Sequence, residues 1–123
     1  MTIIEFLNAR IDEDDRIARA ATPGSWTPER KGVLDNDDIE FVEAPRRDVS
    51  HIARHDPARV LREIAAKRTM VGLHICQCSA DCGDCDACSG AHHADPTPAP
   101  CDTLRALATI YSDHPDYRQE WTP

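Results

Sequence analysis

The strongest constraint on how this chain can fold is one segment in which all six of its cysteines fall between positions 76 and 101. The cysteines are Cys76, Cys78, Cys82, Cys85, Cys88 and Cys101. Glycine, proline and cysteine dominate residues 72–100, and no helical or strand period continues through them. The segment must therefore take its order from something other than apolar packing, and a bound metal ion is the natural candidate.

The cellular compartment decides whether these thiols hold a metal or form disulfides. No stretch approaches the roughly 20 consecutive apolar residues that span a bilayer. Residues 1–5 also lack the basic and apolar regions that begin a secretory signal. We therefore expect a cytoplasmic protein without a membrane partner. In that reducing compartment thiols favour metal thiolates, whereas an even number of cysteines would favour disulfides only in a secreted chain.

The preferred metal site is a single zinc ion with four protein ligands. A C-x2-C pair lets two thiolates converge on one ion through a tight turn, and a distant second pair of ligands closes a tetrahedron. Cys85 and Cys88 are predicted as the turn pair, together with His74 and Cys101. We expect His74 at the end of the middle helix and Cys101 at the start of the last one. An ion bound by both would join the two helix ends, so the free energy of metal binding would stabilise the folded chain. Four protein ligands leave no open position for water, which favours a structural role.

Three alternatives stay open for the cysteine-rich segment. Cys82 and Cys85 form a second C-x2-C pair that competes with the first. A second ion could use residues that the first site leaves over, namely Cys76, Cys78, Cys82 and either His92 or His93. Soft thiolates also suit Cu(I) or an iron–sulfur cluster, and zinc is the default among these metals.

The hydrophobic pattern predicts one α+β domain over residues 1–123, with three helices packed on a small antiparallel sheet and the zinc-stapled loop between the second and third helices. We expect helices over 3–21, 57–71 and 102–112, the sheet over 25–43, a charged connection from Pro45 to Ser50, the metal-binding loop over 72–101 and a tail over 113–123. Asp56 before Pro57 is a favourable helix start, because aspartate caps N–H groups and proline needs no donor there. Asp35 to Asp38 is the expected hairpin turn, and Trp26 marks a third short strand.

Two histidines outside the cysteine-rich segment, His51 and His55, have the spacing of a helical zinc-protease motif. The comparison fails because no glutamate lies between them as a general base, and Pro57 indicates that the helix begins only after the pair. We expect capping or packing roles for both.

A second motif, Pro100-Cys101, matches part of a zinc-deaminase motif but lacks its second thiol. The sequence therefore predicts no catalytic residues and no cofactor-binding residues beyond the zinc ligands.

Charge and the carboxyl-terminal residues bear on the choice of partner. A formal net charge of −8 opposes nonspecific binding to nucleic acid, which depends on lysine and arginine neutralising phosphates. The hypothesis of a nucleic-acid-binding zinc domain rests only on local basic groups, several of them on the middle helix.

Two aromatic residues of the tail, Tyr117 and Trp121, are expected to pack back on the fold rather than to bind a partner.

Four stretches of the chain carry a family resemblance. They are His51-Ile-Ala-Arg-His-Asp-Pro-Ala-Arg-Val-Leu-Arg-Glu-Ile, Ala66-Lys67-Arg68, Pro100-Cys101-Asp-Thr-Leu-Arg-Ala-Leu-Ala and Tyr111-Ser-Asp-His-Pro-Asp-Tyr-Arg-Gln-Glu-Trp. With its acidic amino-terminal helix, the chain resembles a family of small proteins of unknown function from actinobacteria and their phages. The resemblance implies the same four ligands, His74, Cys85, Cys88 and Cys101. Three further cysteines lie outside the shared pattern: Cys76, Cys78 and Cys82.

These features together lead us to expect a non-enzymatic, zinc-stabilised interaction protein that binds a host or bacterial protein. The family resemblance implies an origin in actinobacteria or in their phages. The main alternative is a metal-handling or redox module in which Cys76 and Cys78 are labile thiolates. One tightly held zinc ion would favour the first hypothesis, and several exchangeable ions would favour the second.

Overall fold

The computed structural model describes residues 1–75 and 100–123, which form an α+β fold. Within these residues there are four α-helices, one three-stranded antiparallel sheet and a short 3-10 helix. In chain order the elements are α1 (Ile3–Ala20), β1 (Thr27–Pro28), β2 (Gly32–Leu34), β3 (Glu40–Glu43), α2 (Arg46–Arg54), α3 (Pro57–Leu73), α4 (Asp102–Thr109) and the 3-10 helix (Gln119–Trp121). The predicted α+β class is confirmed, but α2 adds a helix to the three that were expected.

The start of α1 is set by a reciprocal pair of hydrogen bonds between Thr2 and Glu5. The Thr2 N–H donates to Oε2 of Glu5 at 2.7 Å, and the Glu5 N–H donates to Oγ1 of Thr2 at 3.2 Å. This arrangement is a capping box, which satisfies N–H groups that a helix leaves without a partner at its first turn. The helix ends at Ala20, one residue before the predicted end.

The chain divides into two compact units, and residues 1–11 and 66–123 form the first. Its described part is built on Phe6, which is 1% exposed and lies beneath an aromatic cluster. The Trp121 ring packs on Phe6 with centroids 5.0 Å apart, and the rings of Tyr111 and Tyr117 meet Phe6 edge-on. Because Trp121 is 4% exposed, the predicted packing of the tail on its own fold is confirmed.

Residues 12–65 form the second unit, which contains the sheet. The strand order is β1-β2-β3, and both pairs are antiparallel. The predicted turn between β2 and β3 is confirmed: Oδ1 of Asp35 accepts hydrogen bonds from the N–H groups of Asp37 and Ile39. The buried Val33 forms a small core with Val49 and Ala53 of α2.

The helix α2 corrects two predictions, that Pro45 to Ser50 is a charged connection and that no helix lies between the sheet and Pro57. Val49 and Ala53 lie four positions apart, so both are buried on the side of the helix that faces the sheet. The charged residues around them lie on the other sides of the helix. With so few apolar residues between them, the helical pattern was not recognised in the sequence. His51 therefore lies on a helix, and His55 occupies its C-cap position with its ring 4.6 Å from that of His51.

The predicted capping role of Asp56 is confirmed. Its Oδ1 accepts a hydrogen bond from the N–H of Arg59 at 2.8 Å, in the first turn of α3. The helix then continues to Leu73, two residues beyond the predicted end, so that His74 follows it directly. By contrast, α4 ends at Thr109, three residues earlier than predicted, and turns lead from there to the 3-10 helix.

No helix in residues 1–75 and 100–123 combines the length and the apolar character that crossing a membrane requires.

Candidate metal centre

Two of the four predicted zinc ligands lie side by side. The Sγ atom of Cys101 is 3.5 Å from Nδ1 of His74, although 27 positions separate the two residues in the sequence. Cys101 is 2% exposed, and His74 is half-buried. The structure therefore brings together one soft sulfur donor and one imidazole nitrogen in a protected place.

The distance between these two atoms can be compared with that expected for shared zinc coordination. Zinc–sulfur bonds are about 2.3 Å long and zinc–nitrogen bonds about 2.0–2.1 Å, so two such ligands at a tetrahedral angle lie about 3.6 Å apart. The observed distance of 3.5 Å agrees with this value. It also suits a hydrogen bond between a thiol and an imidazole, so the same pair can share either a proton or a metal ion.

Two helix ends position these ligands. His74 follows α3, and its N–H donates to the carbonyl of Val71 at 3.2 Å, which continues the last turn of the helix. Cys101 occupies the N-cap position of α4 in an extended conformation, and its side chain makes no capping hydrogen bond to that helix. The amino-terminal end of a helix carries partial positive charge, which favours an anionic sulfur there.

A neighbouring arginine holds the chain at Cys101 in place. The Arg105 N–H donates to the carbonyl of Cys101 at 3.1 Å, and Nε of Arg105 donates to the carbonyl of Pro100 at 3.2 Å. These two bonds tie the residues that enter α4 to its first turn. The backbone that carries the sulfur is thus set by α4 itself.

The other two predicted ligands, Cys85 and Cys88, lie outside the described residues, as do Cys76, Cys78, Cys82, His92 and His93. Within residues 1–75 and 100–123, no three histidine, cysteine, aspartate or glutamate side chains converge on one point. A tetrahedral protein site at His74 and Cys101 therefore needs two ligands from residues 76–99. The four-ligand set therefore stays a prediction, and two of its members, His74 and Cys101, lie close together.

Sequence reasoning missed a second feature, a cleft of about 570 Å³ in the second unit. Its lining residues are Arg30, Lys31, Glu43, Ala44, Pro45 and Arg46. The basic character of Arg46 was visible in the sequence, but its proximity to Arg30 and Lys31 depends on the pairing of β2 with β3. No local pattern could have indicated that proximity.

The comparisons with known proteins place the chain in a family. A family of unknown function, DUF6221, matches residues 1–123. No curated protein and no solved structure matches the chain. The match confirms the predicted resemblance to a family of unknown function. Since it extends over the whole sequence, the chain belongs to the DUF6221 family.

Proposed function

We propose that this chain is a non-enzymatic, zinc-stabilised interaction protein. One zinc ion is held by His74, Cys85, Cys88 and Cys101 and acts as a structural staple. The observation that carries the proposal is the 3.5 Å separation of Sγ of Cys101 and Nδ1 of His74, two atoms that the chain brings together from different helix ends.

The burial of Cys101 favours a structural ion over an exchangeable one. Thiolates that exchange metal or react with oxidants are accessible to solvent, whereas inert structural ones are enclosed. Cys101 is 2% exposed, so an ion bound to it would be difficult for a competing ligand to reach. Four protein ligands also leave no coordination position for a substrate or a reactive water.

The energetic role of the ion follows from the small size of the fold. A chain of 123 residues has a limited core, and a typical domain is stable by only about 5–15 kcal/mol. Structural zinc contributes apparent binding free energies of about 10–16 kcal/mol in zinc-finger peptides. An ion that joins the end of α3 to the start of α4 would therefore supply much of the stability of the first unit.

The partner that we propose is a bacterial protein in the cytoplasm of an actinobacterium or of the host of an actinobacterial phage. In the first unit, Leu73 and Ile110 are 58% and 55% exposed, and they flank the residues of the staple along the chain. Such side chains provide apolar area that a partner protein can bury. The formal net charge of −8 makes a protein a better partner than nucleic acid.

The metal arm of the test is native mass spectrometry of the purified chain and of three single variants. Cys85→Ser and Cys101→Ser should lose the zinc ion and, with it, cooperative thermal unfolding. Cys76→Ser is the matched control, since it makes the same chemical change in the same cysteine-rich segment, and it should keep both. A metal-free native chain, or zinc loss in Cys76→Ser with retention in Cys85→Ser, would overturn the ligand assignment.

The interaction arm is a pull-down from actinobacterial lysate with the zinc-loaded chain as bait. We expect one protein at stoichiometric yield, with recovery reduced by Leu73→Ser. Ile39→Ser is the control, because it also replaces an exposed aliphatic side chain by serine, but in the second unit, where Ile39 is 59% exposed. Failure to recover any stoichiometric protein would count against an interaction role while leaving the zinc staple intact.

A further inference from the structure

The cleft in the second unit is lined by more positive than negative charge. It opens between the turn that joins β1 to β2, which carries Arg30 and Lys31, and the start of α2, where Arg46 is the first residue of the helix. One carboxylate, that of Glu43, also lines it. Three cations and one anion leave two net positive charges in a cleft of about 570 Å³.

Backbone hydrogen bonds hold the two walls of this cleft together. Gly32 of β2 pairs with Glu43 of β3, and the Ala44 N–H donates to the carbonyl of Lys31 at 2.9 Å. The turn is closed by the Glu29 N–H, which donates to the carbonyl of Gly32 at 2.8 Å. The cations are thus carried on a frame that does not depend on their own side chains.

These three cations form no salt bridge with any of the described residues. Their side chains likewise form no hydrogen bond within residues 1–75 and 100–123. Other arginines of the same chain do find carboxylates, as Arg19 does with Asp15 at 3.0 Å and Arg59 with Glu63 at 2.8 Å. In a chain with a formal net charge of −8, three unneutralised cations around one cleft are available to an external anion.

We propose that this cleft binds the phosphate group of a small phosphorylated molecule. A phosphate monoester carries about −1.5 to −2 charge at neutral pH, which matches the two net positive charges, and guanidinium groups can bind its oxygens in pairs. The start of α2 adds to this field, because its N-cap residue is Pro45, which makes no side-chain capping bond. The volume lies within the roughly 300–1,000 Å³ of small-molecule sites.

A small ligand fits these observations better than a nucleic-acid strand. A strand presents a row of phosphates and needs cations spread along its path, whereas these three surround one cleft. The remainder of the chain is acidic and would repel neighbouring phosphates. This proposal is independent of the zinc staple, since its residues belong to the unit formed by residues 12–65.

The test is isothermal titration calorimetry of the zinc-loaded full chain with inorganic phosphate and with AMP. We expect saturable binding of both. AMP should bind more tightly than phosphate, because the cleft is larger than a phosphate group and has room for the rest of the AMP molecule. Lys31→Gln and Arg46→Gln should each weaken AMP binding by about tenfold, the loss expected for one charge-assisted contact. Arg54→Gln makes the same charge change at the other end of α2 and should alter the affinity by less than about twofold.

Three outcomes would overturn the proposal. The first is the absence of saturable AMP binding. The second is an equal effect of Arg54→Gln and Arg46→Gln, which would indicate only general attraction to charge. The third is binding of a single-stranded oligonucleotide at least tenfold tighter than AMP, with the same sensitivity to Lys31→Gln, which would replace a small molecule by nucleic acid as the ligand. Thermal unfolding and zinc content of each variant would verify that it is folded.

Discussion

The backbone N–H of Trp26 donates a hydrogen bond to Oδ2 of Asp56 at 3.2 Å, across 30 positions of the sequence. The other oxygen of the same carboxylate caps α3 through the N–H of Arg59. Asp56 therefore joins the segment that leads into the sheet to the start of a helix, within the second unit.

Replacement of Asp56 should separate these two roles. Asp56→Ala removes both acceptors and should lower the free energy of unfolding by about 2 kcal/mol. Asp56→Asn keeps one oxygen for the cap and should cost about half as much. Urea unfolding of the zinc-loaded variants measures both values. Equal losses for alanine and asparagine would show that the helix cap contributes nothing.

The capping box at Thr2 and Glu5 predicts a dependence of stability on pH. The backbone N–H of Thr2, followed by its hydroxyl, holds the pKa of the Glu5 carboxyl below its usual value of 4.5. A lowered pKa in the folded state contributes stability that is present above the unfolded pKa and is lost as the pH falls through the folded pKa. The stability difference between the native chain and Glu5→Gln should therefore shrink as the pH falls below 4.5.

Thermal unfolding of both proteins between pH 6 and pH 3 measures this difference. Because both chains carry the same histidines and cysteines, acid effects on a bound metal cancel in the comparison. A difference that stays constant over this range would show that the charge on Glu5 does not stabilise α1.

The burial of Trp121 predicts that the last residues of the chain are needed for stability. Trp121→Ala removes an indole that is 4% exposed and packs on Phe6, and it should cost about 3 kcal/mol. Trp121→Phe keeps an aromatic ring and should cost less. If Trp121→Ala unfolds at the same urea concentration as the native chain, the ring does not hold the tail on the first unit.

Two glycines should respond to alanine with opposite signs. A Cβ atom at Gly32 would lie 2.5 Å from the carbonyl oxygen of Val42, so Gly32→Ala should disturb the pairing of β2 with β3 and cost about 2 kcal/mol. Among residues 1–75 and 100–123, a Cβ atom at Gly72 would meet nothing within 4 Å. Since Gly72 lies in α3, Gly72→Ala should stabilise the chain by about 0.5 kcal/mol. Urea unfolding of both variants checks the two signs.

Local chemistry was sufficient to predict several elements. Asp56 before Pro57 marked the start of α3, and the run from Asp35 to Asp38 marked the hairpin turn, because in both cases a side chain bonds to backbone a few residues away. The capping box of α1 also had a local signal, Thr2-x-x-Glu5, which the interpretation of the hydrophobic pattern overlooked.

The helix α2 shows where local chemistry was insufficient. Its nine residues include only a short apolar stripe, and such a helix is marginal by itself. It is stabilised by the burial of Val49 and Ala53 in the core around Val33. That gain exists only when the sheet is present, so propensity and spacing within Pro45 to Ser50 favoured a loop.

The sequence by itself determined the α+β class, the chemistry of the candidate metal ligands and membership of the family, because composition, periodicity and motif spacing carry that information. Only the tertiary structure decided that Cys101 lies 3.5 Å from His74 and that Arg46 shares a cleft with Arg30 and Lys31. Both arrangements join residues from distant parts of the chain. Helix ends and strand register set such distances, and no local pattern encodes them.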